Sequence, residues 1–176
     1  MKRFAIGMLS AMVVACFAVA AMAQRNPRGK TSLTINGKTV SVDYGRPALK
    51  GRTIEDPTLL GRLKAGGFWR MGDNTSTTFK TEGDLAFGDV TVPAGEYSIW
   101  MQRQEDNSWK LVFNKQHGQW GTQHNASQDV VSVPMHESKP AESVEMVTIT
   151  LSEASGGGTL TVQWGTLETA ASFKAK

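Results

Sequence analysis

Residues 32–44 read SLTINGKTVSVDY, and this stretch decides the fold. Polar and apolar residues alternate on both sides of Asn36-Gly37, which is the strongest short signal for a β-hairpin because both residues tolerate the positive φ of a type I′ turn. The second half of the stretch places Val40, Val42 and Tyr44 on one face. The stretch therefore predicts two antiparallel strands with one buried face.

The same pattern continues to the end of the chain. Trp109, Leu111 and Phe113 take inward positions in one predicted strand, and a final hairpin crosses Gly165-Thr166. About ten short strands separated by turn residues predict an all-β fold, an antiparallel β-sandwich with a barrel-like arrangement as the alternative. We expect one β-sandwich domain over residues 32–174, in which the strandless segment 48–67 packs against the strands through its apolar residues.

The N-terminus has the pattern of a secretory signal peptide. Met1-Lys2-Arg3 is basic, an apolar run follows, and Ala21-Met22-Ala23 is a small-x-small cleavage site. Residues 1–23 are therefore predicted to be a cleaved helical signal peptide, residues 24–31 a mobile leader, and the protein periplasmic or extracellular. The alternative is a lipoprotein anchored through Cys16, because Val13-Val14-Ala15-Cys16 resembles a lipobox.

Charge and cysteine content narrow the function classes. Removal of Lys2 and Arg3 lowers the formal net charge from +3 to +1. A chain so close to neutrality gives no electrostatic reason to expect a nucleic-acid partner or an anionic membrane surface, and we expect no membrane span after cleavage. Cys16 is the one cysteine, so cleavage after Ala23 leaves no disulfide or thiolate chemistry.

Two segments carry more polar and aromatic residues than strands require. One is Gly67–Phe79, which contains Trp69, Arg70, Asp73 and Asn74; the other is the loop 114–122 with its central Trp120. Aromatic rings can stack on a sugar or another apolar surface while amides and guanidinium groups supply directed hydrogen bonds. The prediction is a non-catalytic module that binds a small-molecule or glycan ligand. A structural or partner-binding domain, in which the cluster only closes one end of the fold, is an alternative.

An envelope hydrolase is the second alternative, although an enzyme is the less favoured interpretation. It would use Asp43, Asp73 or His117 near Arg70, but no G-x-S-x-G elbow is present, and each carboxylate also has an ordinary turn or strand-edge explanation. His117 and His124 share one loop, and their spacing matches no zinc signature. No metal and no cofactor are therefore predicted.

Several ordered motifs resemble the bacterial domain-of-unknown-function 2911 family. They are VDYGRP at 42–47, KGR at 50–52, WRMGDN at 69–74, PAGEYS at 93–98 and QWGT at 119–122. The resemblance covers roughly Leu33 to Phe173. It implies an exported bacterial protein with one fold-sized unit, and it implies no reaction.

The resemblance also selects residues. The matching positions are Tyr44, Gly45, Arg46, Pro47, Lys50, Gly51, Arg52, Trp69, Arg70, Asn74, Trp120 and Gly121. Two departures from the family pattern are Ile54-Glu55-Asp56-Pro57, where an aromatic-Gly pair is usual, and Asp73, where alanine is frequent. Together with the polar excess in the loops, these matches give the predicted ligand-binding residues: Tyr44, Arg46, Lys50, Arg52, Trp69, Arg70, Asn74, Asn114 and Trp120.

Overall fold

The computed structural model describes residues 26–176. The predicted signal peptide and the lipobox residue Cys16 lie outside these residues. The strands are β1 (Arg28–Ile35), β2 (Lys38–Gly45), β3 (Phe68–Trp69), β4 (Thr77–Thr81), β5 (Leu85–Phe87), β6 (Val90–Val92), β7 (Gly95–Arg103), β8 (Trp109–Asn114), β9 (Asp129–Ser138), β10 (Val144–Ala154), β11 (Gly157–Gly165) and β12 (Leu167–Ala175). Two short 3₁₀ turns, Leu60–Arg62 and Ala126–Gln128, are the helical elements of the described chain.

The strands form one antiparallel sheet in the order β1-β2-β4-β7-β8-β9-β12-β11-β10, with β3 added beside β7 and the β5–β6 hairpin joined to β12. The predicted all-β antiparallel fold is confirmed, in its barrel-like form, because the sheet curls until β10 lies beside β1. At this seam the Tyr44 hydroxyl donates to the Ile149 carbonyl at 3.1 Å, and Arg46 Nε donates to the Val147 carbonyl at 3.1 Å. Side chains of β2 and the residue after it therefore fasten the two ends of the sheet.

The first hairpin forms as its sequence predicts. Asn36 and Gly37 have φ values of 51° and 76°, and β1 pairs with β2 along its whole length from Arg28 to Ile35. Val40, Val42 and Tyr44 are buried together. The first strand begins inside the segment expected to be a leader, because residues 28–31 pair with the end of β2.

The core fills the inside of the curled sheet. Phe79, Phe87, Phe113 and Phe173 are all buried, with ring centroids 5.2–5.5 Å apart along the chain of contacts between them. Trp109, Leu111 and Phe113 are buried as expected. Clusters of aromatic rings add specific edge and face contacts to the burial of large apolar area, which fixes the curvature of the sheet around them.

The segment 48–67 packs against the core as predicted. Leu49 is buried, and Ile54, Leu59, Leu60 and Leu63 are partly buried against the core. Backbone hydrogen bonds to β10 pin the start of the segment and the residue before it: Leu49 donates to Glu145 at 2.9 Å, and Val147 donates to Pro47 at 3.0 Å. It therefore forms a wall of fixed position on the side of the barrel. In the described part of the chain, no helix has the length and apolar character needed to cross a membrane.

Candidate functional site

Three polar segments meet at one end of the barrel: the corner Tyr44–Pro47, the loop Trp69–Asn74 and the loop Asn114–Thr122. The second and third are joined by a backbone hydrogen bond from Gly121 to Asn74 at 2.8 Å, and Ser76, just after the second, donates to Gln119 at 2.9 Å. The first and second touch where Asp73 packs against Gly45. Residues far apart in sequence are therefore held as one rigid cluster.

Two glycines make this approach possible. A Cβ atom on Gly45 would lie 2.6 Å from the backbone oxygen and 2.8 Å from the backbone nitrogen of Asp73. A Cβ atom on Gly121 would lie 2.8 Å from the Asn74 carbonyl oxygen and would overlap Cδ of Arg70. Glycine is therefore needed at these positions because two backbone segments approach each other closely, and not because a turn requires it.

A cavity of about 390 Å³ opens beside this cluster. All three segments contribute to its wall: the first through Pro47, the second through Trp69, Arg70 and Asp73, and the third through Gly121. The rest of the wall comes from the segment 48–67 and from strand side chains. The volume falls within the range of ordinary small-molecule sites.

Arg70 is half-buried in this wall. Its Nε donates to the Gly72 carbonyl at 3.0 Å, and no carboxylate within residues 26–176 forms a salt bridge with it. Burial lowers the pKa of Arg70 below its ordinary value; the Asp73 carboxylate opposes this shift, and the charge of Arg62 adds to it. An arginine remains protonated in proteins, so the cavity contains a partly desolvated cation.

A second arginine lines the same cavity. Arg62 stands at the end of the 3₁₀ turn Leu60–Arg62, and no salt bridge within the described range involves it. After burial, the charge of Arg62 is a smaller contribution to the lowered pKa of Arg70, because the two like charges repel each other. A ligand that carries negative charge would relieve this repulsion and would pair with the guanidinium groups.

Two buried polar atoms in the cavity-lining residues have no hydrogen-bond partner among residues 26–176. They are Nε1 of Trp164, a donor, and Oδ1 of Asp73, an acceptor. Trp164 is only 3% exposed. Both atoms are buried out of reach of solvent, and Oδ1 of Asp73 packs against Gly45, so neither atom is open to a ligand in the cavity. The other oxygen of Asp73 accepts a hydrogen bond from Asn26.

Aromatic rings make up much of the remaining wall. Trp69 stacks on Trp164 with ring centroids 5.6 Å apart, and His124 stacks on Phe68 at 3.9 Å. Trp100 meets His124 edge-on at 5.0 Å and donates its Nε1 hydrogen to Ser98 at 2.9 Å. These contacts fix the rings, so the cavity is shaped before any ligand arrives.

His124 is the one histidine of the described chain in this wall, and its orientation is set by an acid. Its Nε2 lies 2.9 Å from Oδ1 of Asp129, which also accepts a hydrogen bond from Asn114 at 2.7 Å. With Nε2 engaged, Nδ1 is the ring nitrogen left for a ligand. His117, considered above for hydrolysis, is instead exposed, lies 3.4 Å from Glu96 and is absent from the wall.

Of the predicted ligand-binding residues, the structure places Trp69 and Arg70 in the cavity wall. The others lie elsewhere. Tyr44 and Arg46 close the barrel seam, the Lys50 backbone amide donates to Glu145 at 2.8 Å, and Arg52 bonds to the cavity-lining Thr58 at 3.0 Å.

Asn74 and Trp120 lie next to the cavity but outside its wall. Asn74 has φ of 58° and accepts the Gly121 amide through its backbone carbonyl. Trp120 is 49% exposed and pairs with Thr75 in an isolated β-bridge. Asp43, one of the two acids considered for hydrolysis, is engaged by Arg28, with Nε 2.6 Å from Oδ1.

Asn114 holds the loop that carries His124. It is fully buried, donates to Asp129 at 2.7 Å and to the Asn125 carbonyl at 2.8 Å, and accepts the Gln116 amide at 2.9 Å. We expect Asn114→Ala to lower the free energy of unfolding by about 2 kcal/mol, because it leaves buried groups unpaired. Urea unfolding checks this.

The exposed neighbour Gln116 supplies the control. Gln116→Ala should change the free energy of unfolding by less than about 0.5 kcal/mol, as surface substitutions usually do. Equal stability of the Asn114→Ala variant and the wild type would show that the loop does not depend on these hydrogen bonds.

Sequence reasoning missed Arg62, His124 and Trp164 as cavity residues. Arg62 follows a leucine-rich stretch without strand pattern, and Trp164 occupies an inward strand position that predicts only core. The apolar residues of the segment 48–67 could have pointed to Arg62. Because they pack the segment against the core, its polar side chains must lie at the edge of the fold. The described residues contain no group of three or more histidine, cysteine or acidic side chains placed to hold a metal ion.

Comparison with known proteins gives one match. The sequence model of the family described as "Protein of unknown function (DUF2911)" matches residues 26–173, which confirms the resemblance seen in the motifs. No curated protein and no solved structure matches the chain.

Proposed function

The chain belongs to the DUF2911 family, and we propose that it is an exported, non-catalytic binding module whose cavity at the junction of the three polar segments takes a small organic anion. The observation that carries the proposal is Arg70: a half-buried guanidinium without a carboxylate partner in the described chain, in the same wall as Arg62. A cavity that keeps two arginines unpaired is suited to a carboxylate or phosphate group, which guanidinium groups bind through two parallel hydrogen bonds.

The shape of the wall supports an organic anion over a bare ion. The stacked pair Trp69–Trp164 and the pair Phe68–His124 present apolar ring surface beside the arginines. A sugar acid or a sugar phosphate combines a negative charge with apolar C–H faces, so it would match both the arginines and the rings. Both compounds resemble the glycan-like ligand predicted from the sequence.

Calorimetric titration tests the proposal. The probes are acetate, succinate, glucuronate, glucose 6-phosphate and inorganic phosphate. Glucose is the uncharged counterpart of glucuronate and glucose 6-phosphate. We expect at least one organic anion to bind, glucose to bind far more weakly in this cavity, and the affinity to fall as salt rises because charge pairing contributes to binding. Failure of every anion to bind at millimolar concentration would contradict the proposal.

Export rests on the N-terminal sequence pattern, which lies outside the described residues. The mass of the mature protein from the cell envelope tests it. A chain that begins at Gln24 supports cleavage and a free protein, a lipidated chain that begins at Cys16 supports the anchored alternative, and an uncleaved cytoplasmic chain contradicts both.

Hydrolysis in the same cavity is a second candidate, favoured by the pair His124–Asp129. An imidazole oriented by a carboxylate can accept a proton from water and return it to a leaving group. If this is the function, His124→Gln should abolish turnover of an ester panel while anion affinity changes by no more than a few fold. Absence of turnover by the wild-type protein would leave the binding module as the function.

A further inference from the structure

Among residues 26–176, Trp120 is the one large hydrophobic side chain that is exposed. The next residue, Gly121, lines the cavity, and a Cβ atom on it would point at Arg70. Consecutive side chains of extended chain stand on opposite sides, so the Trp120 ring stands on the side of the loop that faces away from the cavity. It belongs to a different surface, and the inference drawn from it does not rest on the proposed function.

The β-bridge between Thr75 and Trp120 fixes what lies beside the ring. The two backbone hydrogen bonds that flank the bridge, 2.8 and 2.9 Å long, are made by the residues on either side of the pair. Thr75 and Trp120 are therefore a non-hydrogen-bonded antiparallel pair, in which the Cα atoms are about 4.5 Å apart and the two side chains stand close together on one face. The Thr75 side chain is thus the immediate neighbour of the indole.

An ion pair extends this surface beyond Thr75. Arg28 Nη1 donates to the Thr75 hydroxyl at 2.8 Å, and Nε and Nη2 of the same arginine both donate to Oδ1 of Asp43. The Arg28 and Asp43 side chains are 40% and 46% exposed. These contacts use three of the five N–H groups of a guanidinium. Two N–H donors of Arg28 and the Oδ2 acceptor of Asp43 therefore remain for a ligand that approaches from solvent.

We call Arg28, Asp43, Thr75 and Trp120 the outer cluster. Within residues 26–176, no aromatic ring and no guanidinium group stacks on the Trp120 ring. An exposed indole beside fixed donors and acceptors suits a ligand that is apolar on one face and carries hydroxyl groups at its edge. A sugar ring has this form, because its C–H face can stack on an aromatic ring while each hydroxyl both donates and accepts a hydrogen bond.

The charge of the outer cluster distinguishes it from the cavity. The cavity contains two arginines without a carboxylate partner in the described chain, whereas the charge of Arg28 is matched by Asp43. A ligand of the outer cluster therefore needs hydroxyl groups and no charge of its own.

We propose that the outer cluster binds a pyranose ring of a neutral saccharide. The ring stacks on the exposed indole of Trp120, and neighbouring hydroxyl groups accept from the free N–H groups of Arg28 and donate to Asp43 Oδ2. Because an exposed surface does not enclose its ligand, a single sugar should bind weakly, and the test needs a readout that follows weak binding residue by residue.

The indole N–H groups provide that readout. The protein has five tryptophans, which give five nitrogen–proton NMR signals. Trp120→Ala assigns the signal of Trp120, and Trp164→Phe assigns that of the first cavity. The full mature chain is titrated with methyl glucoside, methyl mannoside and maltose. Glycerol, which has hydroxyl groups but no ring face, and cyclohexanol, which has a ring with one hydroxyl group, are the comparators.

We expect at least one saccharide to shift the Trp120 signal to saturation and both comparators to shift it far less. A Trp120 signal that stays fixed with all three saccharides overturns the proposal. A signal that cyclohexanol moves as strongly as the saccharides also overturns it, because the indole would then be an apolar patch without selectivity for sugars.

A variant tests the polar half of the outer cluster while the reporting indole stays in place. Arg28→Met should weaken the saccharide roughly tenfold, as expected for loss of charged hydrogen-bond donors. Lys174→Met, which removes an exposed cation of β12 outside both sites, should leave the titration unchanged. Unchanged saccharide affinity in a folded Arg28→Met variant would contradict the assignment. Because the Trp120 and Trp164 signals are read separately, failure here does not imply failure of the anion site.

Discussion

Gly45→Ala is expected to lower the free energy of unfolding by on the order of 3 kcal/mol, the upper range for an atom forced into a packed site. The added methyl would lie 2.6 Å and 2.8 Å from backbone atoms of Asp73, and backbone cannot rotate away as a side chain can. Gly45 ends β2, so its displacement also disturbs pairing with Arg28. Urea or thermal unfolding gives the value.

Gly118→Ala is the matched control. Gly118 lies in the third polar segment, and a Cβ atom there would have no neighbour within 4 Å, although its φ of 77° disfavours alanine. This variant should lose only about 1–2 kcal/mol, the conformational cost of the left-handed region. If Gly45→Ala is as stable as Gly118→Ala, the close contact between the corner Tyr44–Pro47 and Asp73 does not constrain the fold.

Arg70→Met is expected to reduce the affinity for the organic anion by roughly 100-fold, since removal of one partner of a buried charge pair costs about 2–5 kcal/mol. The same substitution should leave the free energy of unfolding within about 1 kcal/mol of wild type, because methionine keeps most of the side-chain volume. Calorimetry and urea unfolding on the same preparations check both results.

The direction of the pKa shift explains why stability should survive. The folded pKa of Arg70 lies below its unfolded value, so the charged form is disfavoured by folding. That penalty is fully present below the folded pKa and is relieved only as the pH rises through it toward the unfolded value, beyond the neutral range. Removal of the charge therefore removes a cost of folding, and stability between pH 6 and 8 should show no titration of Arg70.

This result separates binding from the structural alternative. If the cluster only closes the end of the barrel, Arg70→Met should lower stability strongly and leave no anion affinity to lose. Arg28→Met is the control, because Arg28 forms an exposed ion pair with Asp43 outside the cavity. Such pairs contribute little to stability, so this variant should keep both stability and anion binding.

The sequence was sufficient to predict the fold wherever local chemistry decides the structure. Asn36-Gly37 determined the first hairpin, and the alternation around Val40 and Leu111 determined which faces are buried. The excess of polar and aromatic residues also marked the loops around Trp69 and Trp120, which the structure joins through the hydrogen bond from Gly121 to Asn74. Closure into a barrel did not follow, because it depends on the bonds from Tyr44 and Arg46 to β10, more than a hundred residues away.

The candidate site was predictable only in part, for a physical reason. Trp69 and Arg70 stood out because they are large side chains in glycine-flanked chain. Motif matches at Tyr44 and Arg46 could not distinguish a ligand contact from a structural one, and the structure gives both residues hydrogen bonds across the seam. Trp164 could not be found from the sequence, because an unpaired indole N–H is a property of its surroundings.

The indole signal of Trp164 tests the central claim most directly, because this residue lines the first cavity and its Nε1 has no partner among residues 26–176. In a titration with the tightest anion of the panel, we predict that the signal shifts and saturates at the calorimetric Kd, and that the shift is lost in Arg70→Met. A Trp164 signal that stays fixed while calorimetry shows full saturation would place the anion elsewhere and contradict the account.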